Sequence, residues 1–236
     1  MFIPPPVRNL RAELLDLDQA PFEEVEESLN DVRRVNRYLS GYRVLLFHVE
    51  KFLLLHSLDR PFTILDIATG SADQPAAIVQ EARRLGIPVR VTAIDINAKM
   101  VRYAKTETKA FPEIELVQCD VLAMPFKENS FDLVVNSLSL HHFSREHAVS
   151  ILRSAHSIGR RGFIVNDLHR SRVAYVSIVL LTRIFTRNRL TRYDAPVSVM
   201  NAFTPSEMKE MALEAGVERF EVHRHFPYRI ALVGMR

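Results

Sequence analysis

The run Ile64-Leu65-Asp66-Ile67 is apolar around one carboxylate, ends in the small-residue turn Ala68-Thr69-Gly70-Ser71-Ala72-Asp73, and passes into a helical pattern. Strand, tight turn and helix in that order is how an open α/β sheet presents a nucleotide-like ligand at the carboxyl end of its first strand. About 25 residues further on, Val91-Thr92-Ala93-Ile94-Asp95 repeats the theme, an apolar strand ending in a carboxylate. The pair implies a cofactor bound across two adjacent strand ends.

The surrounding pattern extends this into an alternating fold. Phe22, Val25, Leu29, Val32 and Val35 recur at three- and four-residue steps, so Pro21 to Leu58 reads as helical, with an interruption at Gly41 and a more apolar helix from Val44 to Leu55. Strands are then predicted at 62–67, 89–94, 114–119, 131–136 and 162–166, with helices at 72–85, 98–108 and 145–157. Gly86 stops the first of these helices. Thr204-Pro205-Ser206-Glu207 reads as an N-cap with proline at the first helical position. Two closing strands, Arg219–His225 and Tyr228–Val233, are joined at Pro227 by too few residues for a parallel crossover, so they run antiparallel to each other. The expectation is a mainly parallel Rossmann-like sheet with helices on both faces. Residues 1–58 form a helical cap, 59–236 the cofactor-binding domain, and 171–202 a lid insertion.

Composition narrows the partners. A net charge of +3 over 236 residues gives no concentrated basic face, so nucleic acid is not an expected partner. Cys119 is the single cysteine, which excludes an internal disulfide framework and suits a cytoplasmic setting. Met1–Leu10 holds three prolines and no apolar run, unlike a signal peptide. The stretch Val173–Phe185 is apolar but too short to span a bilayer, and Arg187, Arg189 and Arg192 follow it. It reads either as a helix buried against the protein or as a lid or peripheral membrane contact.

Four motifs in order carry a family resemblance over roughly residues 61–236. They are Asp66-Ile67-Ala68-Thr69-Gly70-Ser71-Ala72; Asp95 at the second strand end; Cys119-Asp120-Val121-Leu122-Ala123-Met124-Pro125-Phe126; and Phe131-Asp132-Leu133-Val134-Val135-Asn136-Ser137-Leu138-Ser139-Leu140-His141-His142-Phe143. Together they resemble the class I S-adenosylmethionine-dependent methyltransferases, among them small-molecule enzymes of quinone-pathway and phenol or polyketide type. The resemblance implies a seven-stranded sheet with the last strand inserted antiparallel, and S-adenosyl-L-methionine as cofactor. It assigns the cofactor contacts to Asp66, Ala68, Thr69, Gly70, Asp73, Asp95, Ile96, Asp120, Val121, Asn136 and Ser137. Asp66 lies near the ammonium through the turn, Asp95 accepts the ribose hydroxyls, and Asp120 with the Val121 amide meets the adenine edge. One departure stands out. Relatives commonly have glycine at the positions of Ala68 and Ala72, and alanine is poorly tolerated at positive φ. These positions are therefore expected to adopt ordinary φ, or the loop to be altered.

The acceptor is less constrained. No Asn/Asp-Pro-Pro-Tyr/Phe follows the fourth strand, which disfavours amino methylation of adenine or glutamine. The Ser-Leu-Ser-Leu-His-His-Phe run resembles enzymes acting on lipophilic aromatic or polyketide-like molecules. A phenol titrates near the tyrosine value, about 10, so a nearby base helps form the phenolate. His169, read as following the fifth strand, is the leading candidate base, with His141 and His142 behind it. Asp167 and His169 have no diagnostic metal spacing, nor do His223 and His225, so no metal is expected. Tyr38, Tyr42, Phe47, Phe52, Tyr175, Phe185 and Tyr193 lie in the cap and insertion that are expected to roof the acceptor, and core packing is expected to account for most of them. The leading function is methyl transfer to a phenolic or enolic oxygen of a lipophilic small molecule. The alternatives are carbon methylation of a quinol-type ring, a non-catalytic S-adenosylmethionine-binding scaffold, and a nicotinamide oxidoreductase; the absent G-x-G-x-x-G disfavours the last.

Overall fold

A computed structural model describes residues 6–17, 19–57 and 59–236. Residues 1–5, which form half of the segment judged unlike a signal peptide, and Leu58, the expected end of the cap, lie outside the described residues. Helices α1 (Phe22–Tyr38) and α2 (Gly41–Leu53) precede the alternating region β1 (Phe62–Ile67), α3 (Asp73–Leu85), β2 (Val89–Asp95), α4 (Ala98–Glu107), β3 (Ile114–Gln118), β4 (Phe131–Ser137), α5 (Arg145–Ile158) and β5 (Gly159–Leu168). The insertion forms a helical hairpin, α6 (Arg172–Phe185) and α7 (Arg189–Asn201). Then come α8 (Pro205–Glu214), β6 (Arg219–His225) and β7 (Arg229–Met235). Among the described residues no helix is long and apolar enough to cross a membrane.

The seven strands lie in the order β3-β2-β1-β4-β5-β7-β6. β1 to β5 pair in parallel, and β7 runs antiparallel to both β5 and β6. The chain builds outward from β1 to β3 and then returns to place β4 on the other side of β1. That reversal opens a crevice at the carboxyl ends of β1 and β4, where ligands bind in such sheets.

Strand alternation sorts the core onto two faces. Phe62 and Ile64 of β1 share a cluster with Leu45, Val49 and Leu53 of α2 and Ile78, Val79 and Ala82 of α3. Leu65 and Ile67, of opposite parity, share one with Ile151, Leu152 and Ala155 of α5 and Met208, Met211 and Ala212 of α8. At α8, Thr204 and Glu207 complete a reciprocal capping box, as the sequence predicts.

β5 departs from expectation. It starts three residues earlier and runs to Leu168 instead of ending at Asn166, so that Asn166, Asp167 and Leu168 all lie within the strand. The physical reason is β7, whose Ala231, Ile230 and Arg229 pair with those three residues. The loop therefore begins at His169, and the side chains of 166–168 are fixed by the sheet.

The amino-terminal edge of the sheet is clamped by Asp132, fully buried at the start of β4. Its carboxylate accepts from Arg60 Nη1 and Nη2 (2.6 and 2.5 Å), Arg160 Nη1 (2.7 Å), and the Thr63 amide and hydroxyl (both 3.0 Å). Burial alone raises a carboxyl pKa, but these donors outweigh it and hold Asp132 well below the usual carboxylate range. A depressed pKa contributes stability above the unfolded value, and that contribution is lost as pH falls toward the folded one. Asp132→Asn leaves two guanidinium groups without their shared anion and should cost about 3 kcal/mol at neutral pH. Urea denaturation at pH 7 and at acidic pH checks this: the deficit is expected to shrink on acidification, and a pH-independent deficit would refute the charge-based account.

Candidate functional site

The turn after β1 folds the backbone back on itself. The Thr69 amide donates to the Ile94 carbonyl (2.9 Å) and the Ala72 amide to the Thr69 carbonyl (3.0 Å). Ala68, Gly70 and Ala72 all lie in the left-handed region, at φ +55, +56 and +55°. Of the two sequence-based alternatives, ordinary φ at the alanines or an altered loop, the first is thus corrected: alanine occupies a backbone suited to glycine. A non-glycine residue pays about 1–2 kcal/mol there. The surroundings enforce the shape. Ala72 is wholly buried against Ala93, Val101, Ala104 and Leu116, and it caps α3. Leu138, in the loop after β4, is also left-handed, at φ +53°.

The residues assigned to the cofactor meet at these strand ends. Asp95 accepts from the Gly70 amide through Oδ2 and from the Asn97 amide through Oδ1, both at 2.9 Å. Each oxygen keeps a lone pair for a further donor. Ile96 beside it is exposed, an apolar surface at the mouth of the crevice. Asp120 spends one oxygen on the Leu122 amide at 2.8 Å, in the short 3-10 turn Val121–Ala123. Asn136 donates to the Ile67 carbonyl (3.1 Å) and to Ser139 Oγ, which joins β4 to β1. Ser137 Oγ accepts from Asn166 Nδ2 at 3.2 Å. Gly70 is open on its Cβ side, so the crevice has room against that backbone.

Eight buried side-chain polar atoms lack a hydrogen-bond partner among the described residues. Seven belong to this neighbourhood: Asp66 Oδ2, Thr69 Oγ1, both polar atoms of the Gln74 amide, Asn136 Oδ1, Asn166 Oδ1 and Arg229 Nη1. Unpaired buried polar atoms are costly and rare, and a cluster of them marks where a polar ligand completes the bonding. Asp66 shows the same from electrostatics. Burial raises its pKa to about 7 against the opposing pull of the nearby Thr69 hydroxyl, with smaller upward contributions from the Asp73 and Asp95 charges. An acid whose ionisation is opposed by burial, with no countercharge beside it, suits a cationic group. This set of residues therefore fits an amino-acid-bearing nucleoside such as the resemblance implies.

The three candidate histidines are distinguished by their partners. His141 is fully buried, and Asp167 receives both its amide (Oδ2, 3.0 Å) and its Nδ1 (Oδ1, 2.6 Å). Its Nε2 lies 3.5 Å from Glu13 Oε1. Burial lowers its pKa, but the two carboxylates prevail and raise it to about 10, so it is a held imidazolium with no free nitrogen. His142 stacks on it at 4.4 Å and pairs with Asp16 at 2.7 Å. Glu13, His141 and His142 present ligand-type atoms within 4.8 Å of one another, but His141 already bridges two acids. His169 is half-buried, and burial together with Arg224 and Arg170 lowers its pKa, which keeps it neutral. Of the three, it is the one whose chemistry suits proton acceptance.

The N-terminal helices reach the same crevice. Asp73 accepts from Tyr42 Oη (2.7 Å), Asn36 Nδ2 (3.2 Å) and Ser71 Oγ (3.0 Å). Asn166 donates to the Gly41 carbonyl at 3.2 Å. Glycine is needed at 41 because a Cβ there would meet Asn36. Arg229, 1% exposed, donates to Asn36 Oδ1 at 3.1 Å and leaves Nη1 unpaired; burial lowers its pKa to about 10 against the opposing Asp167 and Asp73 charges. Sequence reasoning missed Arg229 and Gln74. Only the register that sets Arg229 opposite Leu168 brings it to the carboxyl end of β5.

The aromatic residues of the cap and insertion are less buried than expected. Tyr38, Phe47, Tyr175, Phe185 and Tyr193 are exposed. A cavity of about 1180 Å³ lies along α6, α7 and segment 6–11, bordered by Arg11, Tyr175, Val179, Arg183, Tyr193 and Met200, among others.

Residues 64–162 match the methyltransferase domain family. Demethylmenaquinone methyltransferase of Staphylococcus epidermidis is 30% identical over 107 residues, 45% of this chain and 42% of that protein. The enzyme of the same name from Bacillus licheniformis is 26% identical over 93 residues, 39% of each chain. The chain thus spans less than half the length of these curated relatives. Among solved structures, a SAM-dependent methyltransferase from Aquifex aeolicus superposes with TM-score 0.56 at 18% identity, covering 86% of this chain and 97% of that one. The CMeT domain of citrinin polyketide synthase gives 0.65 at 12%, covering 83% and 52%. Magnesium protoporphyrin IX methyltransferase from Synechocystis PCC 6803, solved with bound SAH, gives 0.55 at 14%, covering 92% and 89%. These structures share the fold.

If the turn after β1 is strained as its dihedrals imply, Ala68→Gly should raise stability by about 1 kcal/mol. Ala76→Gly, inside α3, should lower it by about the same amount. Paired thermal melts decide this, and equal destabilisation by both would show that Ala68 carries no strain.

Proposed function

We propose that this chain, a member of the class I S-adenosylmethionine-dependent methyltransferases, methylates a lipophilic small molecule that carries an ionisable phenolic or enolic hydroxyl. The observation that carries the reading is the cluster of unpaired buried polar atoms at the carboxyl ends of β1, β4 and β5, on both the cofactor side and the acceptor side. Asp66, Ala68, Thr69, Gly70 and Asp73 would hold the amino-acid end of the cofactor. Asp95 and Ile96 would hold the ribose, Asp120 and Val121 the adenine, and Asn136 and Ser137 the strand end between cofactor and acceptor. When bound, the cofactor supplies a methyl group on a sulfonium centre; the chain's own task is to orient the acceptor and free its lone pair.

Two residues support an ionisable hydroxyl. A neutral His169 at the end of β5 can take the hydroxyl proton. The free Nη1 of buried Arg229 can face the resulting oxyanion, a stabilisation that is strong where water is excluded. Helices α1 and α2 and the 171–202 insertion would roof the acceptor, and proximity within that roof would supply much of the rate. Oxygen is the leading acceptor atom. Carbon of a quinol-type ring is the second reading, supported by the names of the demethylmenaquinone relatives and of the CMeT domain. A phenolate or enolate is nucleophilic at both atoms, so the two readings share the same first proton transfer.

Calorimetric titration is expected to give micromolar binding of S-adenosylmethionine and S-adenosylhomocysteine and none of NAD. Asp95→Ala should weaken the sulfur compounds by at least about tenfold, from lost charge-assisted hydrogen bonds. The ammonium requires Asp66 ionised, so affinity should decline as the pH falls below about 7, where Asp66 takes up a proton. Undiminished affinity in Asp95→Ala would sink the cofactor assignment. With phenol and quinol acceptors, His169→Gln should lower kcat at neutral pH by about 100-fold. The loss should be recovered as the pH approaches the acceptor's own pKa, and a loss that persists there would remove His169 as the base.

A further inference from the structure

Helix α6 carries an exposed aliphatic stripe. Its buried residues are Ala174 and Thr182, and Ile178, Val179 and Leu181 are half-buried. Four further aliphatic residues, Val173, Val176, Leu180 and Ile184, recur at three- and four-residue steps and are 54, 55, 55 and 71% exposed. That spacing places all four on one stripe. Phe185, 75% exposed, closes the helix, and segment 6–11, which shares the adjoining cavity, exposes Val7 and Leu10.

Charge within the segment itself has one sign, and the acids Glu24, Glu27 and Asp31 of α1 meet it only at residues 186–191. Residues 171–193 contain five arginines and no aspartate or glutamate. Arg189 pairs with Glu24, and Arg192 is tied to the carbonyls of Thr186 and Arg183, while Arg183 and Arg187 are exposed at the end of α6. An aliphatic stripe on a 14-residue helix, about 21 Å long, cannot span a bilayer but can lie in its interface. Arginines beside such a stripe add attraction to anionic headgroups.

We propose that α6 docks this protein on the surface of an anionic lipid bilayer, with Val173, Val176, Leu180 and Ile184 entering the headgroup–acyl boundary and Arg183 and Arg187 meeting lipid phosphates. Charge complementarity selects this occupant. A second copy of the chain, related by a two-fold axis through α6, would set arginine clusters of the same sign against each other. An anionic lipid surface accepts both the stripe and the arginines. The inference stands on the surface of α6, whichever molecule is methylated.

The test is vesicle flotation of the full chain with phosphatidylcholine alone and with phosphatidylcholine mixed with phosphatidylglycerol. The chain should float with the mixed vesicles and much less with the neutral ones. Leu180→Ser with Ile184→Ser should reduce flotation at least about tenfold, and Arg183→Gln with Arg187→Gln should reduce it and blunt its salt dependence. Both double variants alter exposed positions and should keep wild-type circular dichroism and S-adenosylmethionine affinity. That affinity is measured on the same preparations, so failure of docking and failure of the methyltransferase reading are told apart. Absent flotation with the anionic vesicles overturns the proposal, and so does flotation unaffected by Leu180→Ser with Ile184→Ser. A wild-type dimer that this variant converts to monomer, without vesicle binding, would assign the stripe to self-association instead.

Discussion

The left-handed turn after β1 is the constraint on which the site depends. It lets the Gly70 amide reach Asp95, so the ends of β1 and β2 are joined by a hydrogen bond between a backbone amide and a carboxylate. It caps α3, and it places Asp73 within reach of Tyr42 and Asn36 from the N-terminal helices. With two of its three left-handed positions held by alanine, local propensity opposes the shape. Packing of Ala72 into the small-residue cluster of β2, β3 and α4 imposes it. Strain held in place by surrounding structure is characteristic of functional loops, and here it is observed in the dihedrals rather than inferred from a role.

The charges around this turn divide into two kinds. On the far side of the crevice they are satisfied. Asp167 is bound by the amide and ring of His141, His141 by Glu13, and Glu13 by Ser198 Oγ at 2.5 Å. This buried series joins β5, the loop after β4, the N-terminal segment and α7, and it holds His141 charged. At the centre the charges are unsatisfied. Asp66 has no countercharge, and Arg229 keeps a free nitrogen. A buried ion pair missing one partner is strongly unfavourable, whereas a complete one is close to neutral. The contrast separates groups that organise the site from groups that await a ligand.

The alternation from β1 to β5 was legible in the sequence because each strand is an apolar run bounded by a turn signal, and each helix repeats near 3.6 residues. The antiparallel ending was legible from the shortness of the link at Pro227. Asp66, Asp95 and Asp120 could be placed at strand ends by position alone. What escaped was set by partners distant in the chain. The length of β5 is decided by β7, more than 60 residues later, and Arg229 joins the site through the same register. Asp132 reads as an ordinary acid in a strand until Arg60, Thr63 and Arg160 converge on it. The alanines obscured the backbone of the first turn because residue identity reports propensity, and tertiary packing overrode it.

Helix α6 shows the same limit from the other side. Apolar periodicity says that one face avoids water but does not say what covers it. In most helices the sheet provides the cover; here the inward side is made by Ala174 and Thr182 with half-buried Ile178, Val179 and Leu181, and a second aliphatic stripe faces outward. The neighbouring segment is bound to the same layer. Asn201 of α7 clasps Arg11 through both its amide and carbonyl, Asp194 accepts from the Leu14 and Leu15 amides, and Arg8 donates to the carbonyls of Asn201, His141 and Phe143. Helix α7 and the loop after β4 are thus linked through the N-terminal segment by polar contacts made largely with backbone. Exposed aliphatic area on this scale is a liability in water unless something covers it. A lipophilic acceptor that resides in a bilayer would make the surface that covers α6 also the source of the molecule entering the crevice.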